Sequence, residues 1–188
     1  MHVIIVERKA HFPYRNPGCL VVNNREFINK PELLLGSKRA RIINLSNDYS
    51  YLGYGYYCSL LAEARKLKVI PSVQTILELR ERSIYMHALP ELDDRLRQQI
   101  KKMDPTPTEG FVAYVFFGRA DDARYRHLAR RIFDEFRFPL LKVTVAPEDG
   151  WRIASIRPLL MGDLKAEHQA FFEDALEAYT RVNWREPK

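Results

Sequence analysis

Short apolar runs alternate along this chain with longer stretches in which apolar residues recur every third or fourth position. Seven runs read as strands: "VIIVE" (3–7), "CLVV" (19–22), "RIINL" (41–45), "KVIP" (68–71), "FVAYVFF" (111–117), "LLKVTVA" (140–146) and "WRIASI" (151–156). Most are rich in β-branched or aromatic residues and are bounded by Gly, Pro, Asn or Asp, the residues that end strands. The "PEDG" between the last two predicts a turn and hence an antiparallel hairpin.

The helical pattern is clearest in "DDARYRHLARRIFDEF" (121–136), where Tyr125, Leu128, Ala129, Ile132, Phe133 and Phe136 fall on one continuous face. Tyr57, Leu60, Leu61, Ala64 and Leu67 repeat the spacing and predict the buried face of an earlier helix. Ser72 is placed to cap "VQTILELRERS", its hydroxyl accepting from a free N–H of the first turn. Pro90 and "ELDDRLRQQIKKM" predict a further, mostly polar helix, and Asp163 is the expected cap of a last helix that turns Leu164, Phe171, Phe172, Ala175, Leu176 and Tyr179 inward. Alternating strands and helices predict an α/β fold: a layered sandwich with a mixed, mostly parallel sheet, helices on both faces, and a C-terminal antiparallel hairpin plus helix. Residues 1–188 are expected to form one domain, with a loop or hinge at "DPTPTEG" (104–110).

Composition narrows the function classes. A chain of 188 residues buries roughly 70% of the surface its unfolded form exposes, so it needs no staples. Cys19 and Cys58 lie far apart, outside any CxxC or Cys/His cluster, and read as reduced structural thiols of a cytoplasmic protein. The N-terminus has four consecutive apolar residues before Glu7 and Arg8, too few for a signal-peptide core or a membrane span, so a soluble, unexported protein is expected. A net charge of +6 raises nucleic-acid binding, but the arginine-rich stretch 119–137 interleaves six arginines with four acidic residues. Mixed charge of that kind describes a solvated face.

In open α/β sheets, ligands bind beyond the carboxyl ends of strands, where helix N-termini present free N–H groups. Three junctions have that form, "NLSNDYSYLGYGYY", "IPSVQT" and "FFGRADD", and they are expected to converge on one cleft. The first holds five of the ten tyrosines. Its "GYG" is no dinucleotide fingerprint, because Cys58 stands where a third glycine is needed and bulky tyrosines block a pyrophosphate; no Walker-type phosphate loop is present either. A tyrosine instead offers a flat apolar body and a hydroxyl that donates and accepts. Asn47, Asp48, Tyr49, Tyr51 and Tyr54 are therefore candidate ligand- or partner-binding residues, with packing the competing role for Tyr49, Tyr51 and Tyr54 and the core the expected place of Tyr57. Ser72 and Arg119 complete the candidate set; Arg119 is positioned either to hold a carboxylate or phosphate or to pair with Asp121 or Asp122. The five histidines share no close spacing and no GxSxG occurs, so no metal ligand or catalytic residue is assigned.

The stretch 44–79, "NLSNDYSYLGYGYYCSLLAEARKLKVIPSVQTILEL", resembles the domain at the N-terminus of RimK-like ATP-grasp proteins. Tyr49, Tyr51, Gly55, Tyr56, Tyr57, the run from Ser59 to Arg65, Pro71 and Ser72 carry the match, with weaker support from "WRIASIRPL" and the final helix. The resemblance implies a partner, an ATP-grasp ligase domain in cis or in trans that activates a carboxylate as an acyl phosphate and joins it to an amine. It implies ATP and magnesium only in that linked domain, none in these residues, and an amino acid or peptide as the substrate to be recognised. The implied role is non-catalytic recognition or scaffolding. The alternative is a stand-alone small-molecule-binding domain with chemistry of its own at loops 46–55 and 118–122. Nucleic acid and membrane are not expected partners.

Overall fold

The computed structural model describes residues 1–12, 14–34 and 39–181. Strands β1 (His2–Val6), β2 (Cys19–Asn23), β3 (Arg41–Leu45) and β4 (Lys68–Ile70) form a parallel sheet in the order β2-β1-β3-β4. The register sets Ile4 beside Val21 on one side and Ile43 on the other. Strand β1 is buried along its whole length, as a central parallel strand covered on both faces must be. Alternate residues therefore serve two cores: Val3 and Ile5 pack with Phe27, Cys58 and Ala62, while Ile4 and Val6 pack with Phe12, Phe116 and Phe172.

Helices α1 (Asn24–Asn29) and α2 (Tyr54–Ala64) link the parallel strands, and α3 (Val73–Glu78), α4 (Arg82–Tyr85) and α5 (Leu89–Ile100) follow β4. The mostly polar sequence of α5 still buries Leu89, Leu92, Leu96 and Ile100, spaced to lie on one stripe. The irregular segment 104–110 then leads to β5 (Phe111–Phe116), β6 (Arg119–Ala120), α6 (Arg126–Glu135), β7 (Leu140–Ala146), β8 (Arg152–Pro158) and α7 (Gln169–Arg181).

The α/β class matches expectation, but the strands divide between two sheets instead of sharing a mixed one. The second sheet is antiparallel, in the order β6-β5-β7-β8. Its local connections explain the split. Phe117 and Gly118, both at positive φ (49° and 77°), form the two-residue turn that folds β6 directly back on β5, since a turn of that hand matches the strand twist. A second tight turn, with Asp149 and Gly150 also at positive φ, returns β8 along β7. The sheets are joined by common cores. Tyr56, Ile76 and Leu79 pack with Leu128, Ile132, Phe136 and Phe138, and Ile43, Leu45 and Ile70 pack with Phe116, Phe133 and Leu140.

Asp163 does not cap α7. It ends a short 3-10 turn (Met161–Asp163), a second follows at Ala166–His168, and α7 begins only at Gln169. The inward face of α7 is as expected, with Phe172, Ala175 and Leu176 buried and Leu164, Phe171 and Tyr179 packed partly against them. Among the described residues no helix is long and apolar enough to cross a membrane.

Candidate functional site

The strand order has a switch point. From β1 the chain moves to β2 across the face occupied by Phe12 and Tyr14; from β3 it moves the other way, to β4, through α2 on the opposite face. Connections that leave adjacent strands in opposite directions open a crevice beyond their carboxyl ends. Here that crevice lies between Glu7–Arg8 after β1 and Asn47–Asp48 after β3. Two cavities flank it, of about 450 Å³ and 350 Å³, and share Glu7, Arg8 and Asn47 in their walls. Asn47 is the strut between them. Its Nδ2 donates to Glu7 Oε2 (2.7 Å), and its Oδ1 accepts from the Gly162 N–H (2.9 Å), tying the parallel sheet to the segment after β8. The larger cavity is completed by Asn23, Asn24, Arg25, Asp48 and Tyr54.

Below the crevice runs a buried chain of hydrogen bonds. Asn24 Nδ2 donates to Ser46 Oγ (3.0 Å), Ser46 Oγ donates to Asn44 Oδ1 (2.5 Å), Asn44 Nδ2 donates to Ser59 Oγ (2.9 Å) and to the Gly55 carbonyl (2.8 Å), and Ser59 Oγ donates to the Pro71 carbonyl (2.7 Å). Asn44 and Ser59 are wholly buried, and Ser46 nearly so. Polar groups out of water must be paired, and this series pairs them while holding α1, β3, α2 and the β4–α3 turn in one register. Asn23 and Glu26 form a reciprocal cap at the start of α1. Lys9 donates to Glu26 Oε1 (2.7 Å), which with the Asn23 N–H holds the Glu26 carboxyl below its ordinary range.

Local chemistry also fixes the loop into α2. Asp48 Oδ1 accepts from the N–H and hydroxyl of Ser50, at 2.9 and 2.5 Å. Its carboxylate also packs against Gly53, the residue that caps the start of α2, where the helix dipole favours negative charge. A Cβ at Gly55 would come within 2.4 Å of the Asp48 carbonyl oxygen and 2.8 Å of Ser46 Cβ, so only glycine lets the helix approach this closely.

The five tyrosines part company. Tyr49 turns inward: its hydroxyl donates to the Asn44 carbonyl (2.7 Å), its ring meets Phe138 edge-on (4.9 Å between centroids), and burial pushes its pKa far up. Tyr56 is buried in the core shared by the two sheets. Tyr57, expected inside, is instead outside, at 39% exposure. The inner face of α2 is built from Gly55, Tyr56, Cys58, Ser59 and Ala62. Small side chains there let the helix lie close on the sheet, so the larger Tyr57 and Leu60 point outward. Burial raises the Cys58 thiol to about 12, which keeps it protonated and unreactive. Together with Tyr51 (58% exposed), Leu52 (53%) and Tyr54 (51%), Tyr57 and Leu60 make one apolar stripe over the loop and α2.

Of the residues anticipated from sequence, Asn47, Asp48 and Tyr54 meet at the crevice. Tyr49 packs beneath it and Tyr51 joins the stripe. Ser72 is the N-cap of α3, its Oγ accepting from the Thr75 N–H (3.0 Å), and it lines a separate cleft beside β4. Arg119 sits in β6 at the edge of the antiparallel sheet and lines neither crevice cavity, so the three junctions do not share a cleft. Asp121 and Asp122 are engaged elsewhere, with the Tyr114 N–H and with Arg124 respectively. Sequence reasoning missed Glu7, Arg8, Asn24, Arg25, Asn44, Ser46 and Ser59. The signal available for Asn44 was a polar side chain inside an otherwise apolar strand, which needs a partner if buried.

No curated protein matches the chain. A family model matches residues 24–175, from the first residue of α1 into α7, and so covers the buried polar chain and the aromatic stripe. The chain belongs to the RimK-like ATPgrasp N-terminal domain family.

Proposed function

We propose that this chain is a non-catalytic recognition and scaffolding module that docks, through the stripe of Tyr51, Leu52, Tyr54, Tyr57 and Leu60, onto the ATP-grasp ligase domain of a RimK-like protein, in cis or in trans. The observation that carries the reading is the stripe itself. Five of the nine large apolar side chains that are exposed among the described residues lie on this one loop and helix. Contiguous exposed apolar surface marks contact sites in soluble domains, and tyrosines anchor interfaces out of proportion to their number. Leu52 supports the reading: at φ 66° and 53% exposed it gains neither backbone ease nor burial within the chain, and a docked partner would supply that burial. In this reading ATP and magnesium act in the ATP-grasp domain, and the ligase joins an amino acid or peptide. The unpaired Cys19 and Cys58 accord with a reducing, cytoplasmic setting. A domain with chemistry of its own at loops 46–55 and 118–122 is disfavoured by the separation of Asp48 from Arg119.

The test mixes the purified chain with a separately expressed RimK-like ATP-grasp domain and measures affinity by calorimetry. Combined Tyr51→Ala, Tyr54→Ala and Tyr57→Ala is expected to weaken binding by more than about tenfold, or 1.4 kcal/mol, with the unfolding midpoint unchanged. Unaltered affinity would remove the stripe from the interface.

A further inference from the structure

A cleft of about 580 Å³ beside β4 takes no part in the docking reading. β4 is an outer strand of the parallel sheet, and the phase of the ladder shows which of its peptide groups turn outward. The Arg41 N–H donates to the Met1 carbonyl (3.1 Å), so Arg41 and Ile43 bond toward β1, and Ile42 between them bonds toward β4. Ile42 stands in register with Val69 and therefore meets the peptide groups of Lys68 and Ile70 on either side of it. That leaves the N–H and C=O of Val69 facing away from the sheet, and neither has a partner among the described residues. The Val69 side chain packs toward the opposite core with Phe27 and Cys58, so what it presents to the cleft is its main chain. The outer strand β8 of the other sheet shows how this molecule closes an edge. Asp93 accepts from the Ile153 N–H (2.7 Å), the Tyr85 hydroxyl oxygen accepts from the Ile156 N–H (3.2 Å), and Arg82 donates to the Ala154 carbonyl (2.5 Å). Open strand edges are a liability that folded chains cover, and at Val69 no described residue does so.

The end of α7 points to the cover. Tyr179 lines the cleft, and burial raises its hydroxyl to about 12 against the opposing charges of Arg137 and Arg41, which line the cleft with it. The helix closes two residues later, at Arg181, so the chain leaves α7 at the cleft. Residues 182–188, "VNWREPK", follow directly and lie outside the described residues. A stretch of that length reaches at most about 25 Å when extended. We infer that residues 182–188 lie in this cleft as a strand added to β4, closing the Val69 edge with their own main chain. Their pattern suits the place. In an extended chain alternate side chains share a face, which groups Val182, Trp184 and Glu186, and Pro187 favours extended backbone at the residue before it. Trp184 fills the apolar part of the cleft beside Ile70 and Tyr179, and Glu186 meets the cationic side chains of Arg41, Lys68 and Arg137. Arg185, on the other face of the segment, is matched by the carboxylates of Glu78 and Glu135 in the walls. The added strand belongs to the parallel half and sets the direction in which the chain leaves it. The inference stands apart from docking through the stripe.

Amide hydrogen exchange of the whole 188-residue chain, read residue by residue by NMR, tests it. The Val69 amide is expected to exchange about tenfold more slowly in the native chain than in Trp184→Ala, and about threefold more slowly than in Glu186→Gln at low salt. The Ile4 amide, in the centre of the sheet, is expected to exchange alike in all three, which separates release of the segment from loss of the fold. Equal Val69 exchange in the native chain and in Trp184→Ala overturns the inference. Protection that grows with protein concentration also overturns it, because the strand is then supplied by a second copy. Protection that appears only when an ATP-grasp domain is added overturns it as well, because the strand then comes from the partner. None of these results bears on the stripe, whose test is the affinity of the triple variant.

Discussion

The two sheets of this molecule are built on different principles. Every buried polar residue among those described, His2, Asn24, Asn44, Ser46, Ser59 and Thr75, belongs to the parallel half or the helices just beyond it. The antiparallel half is packed with Phe116, Phe136, Phe138, Leu128, Leu141 and Val143, and its aromatic rings stack or meet edge to edge, as Phe116 does with Phe171 at 4.9 Å. Buried polar groups cost free energy unless fully paired. A chain that confines them to one half, and there strings them beneath a crevice, has spent stability where positions must be specified. On the proposed reading this is a division of labour: the antiparallel half supplies cohesion, and the parallel half supplies the surfaces that a partner would recognise.

The largest effect should come from the cohesive half. Phe116→Ala removes a wholly buried ring and is expected to cost about 4 kcal/mol by chemical denaturation while leaving affinity for the ATP-grasp domain intact in the molecules that remain folded. Equal loss of stability and of binding would erase the distinction between the halves. Asn44→Ala cuts the polar chain at its centre, leaving the Ser46 and Ser59 hydroxyls and the Gly55 carbonyl short of partners. It is expected to cost about 2 to 3 kcal/mol, less than the phenylalanine, yet to broaden or displace the crevice amides in NMR spectra. Unperturbed crevice resonances would mean that the network does not position the site.

A smaller, pH-dependent effect is expected at the start of β1. His2 is buried, its Nε2 is unpartnered, and burial, reinforced by the Arg41 charge, lowers its pKa below 6.5. The folded state therefore prefers the neutral ring and the unfolded chain takes up the proton first. The stability due to this difference is complete above the unfolded value near 6.5 and is lost as pH falls through the lower folded value. Thermal unfolding midpoints of the native chain should drop across that window more steeply than those of His2→Gln. Parallel profiles would show that the histidine is not the group responsible. The smallest stability effect belongs to the stripe, where Tyr51→Ala, Tyr54→Ala and Tyr57→Ala should each stay within about 0.5 kcal/mol.

Much of the frame was legible. The strands Arg41–Leu45 and Leu140–Ala146 begin and end where the apolar runs do, Ser72 caps α3, and α6 buries the predicted Leu128, Ala129, Ile132 and Phe133. The phase of α2 was not. Its inner face carries Gly55, Cys58, Ser59 and Ala62, small residues that give little hydrophobic signal, whereas outward Tyr57 and Leu60 give a strong one. Periodicity reports where large apolar residues recur, and on α2 they recur on the exposed side. Nor does an apolar run state its partner, so the split into two sheets depended on turns such as Phe117–Gly118, whose positive φ values the run "FVAYVFF" conceals. The site was legible only in part. Asn47, Asp48 and Tyr54 share one junction, whereas Glu7, Arg8, Asn24 and Arg25 reach it through the ordering of strands, which sequence spacing does not encode.

The central claim, that the parallel half is the recognising half and that its α2 face meets the ligase, is tested most directly by hydrogen exchange of the chain with and without an ATP-grasp domain. The account predicts that the added protection is concentrated in residues 51–61, with the β5–β8 sheet unchanged. Protection concentrated on the antiparallel sheet, or none near Tyr51, Tyr54 and Tyr57 at concentrations where the two proteins are bound, would contradict it.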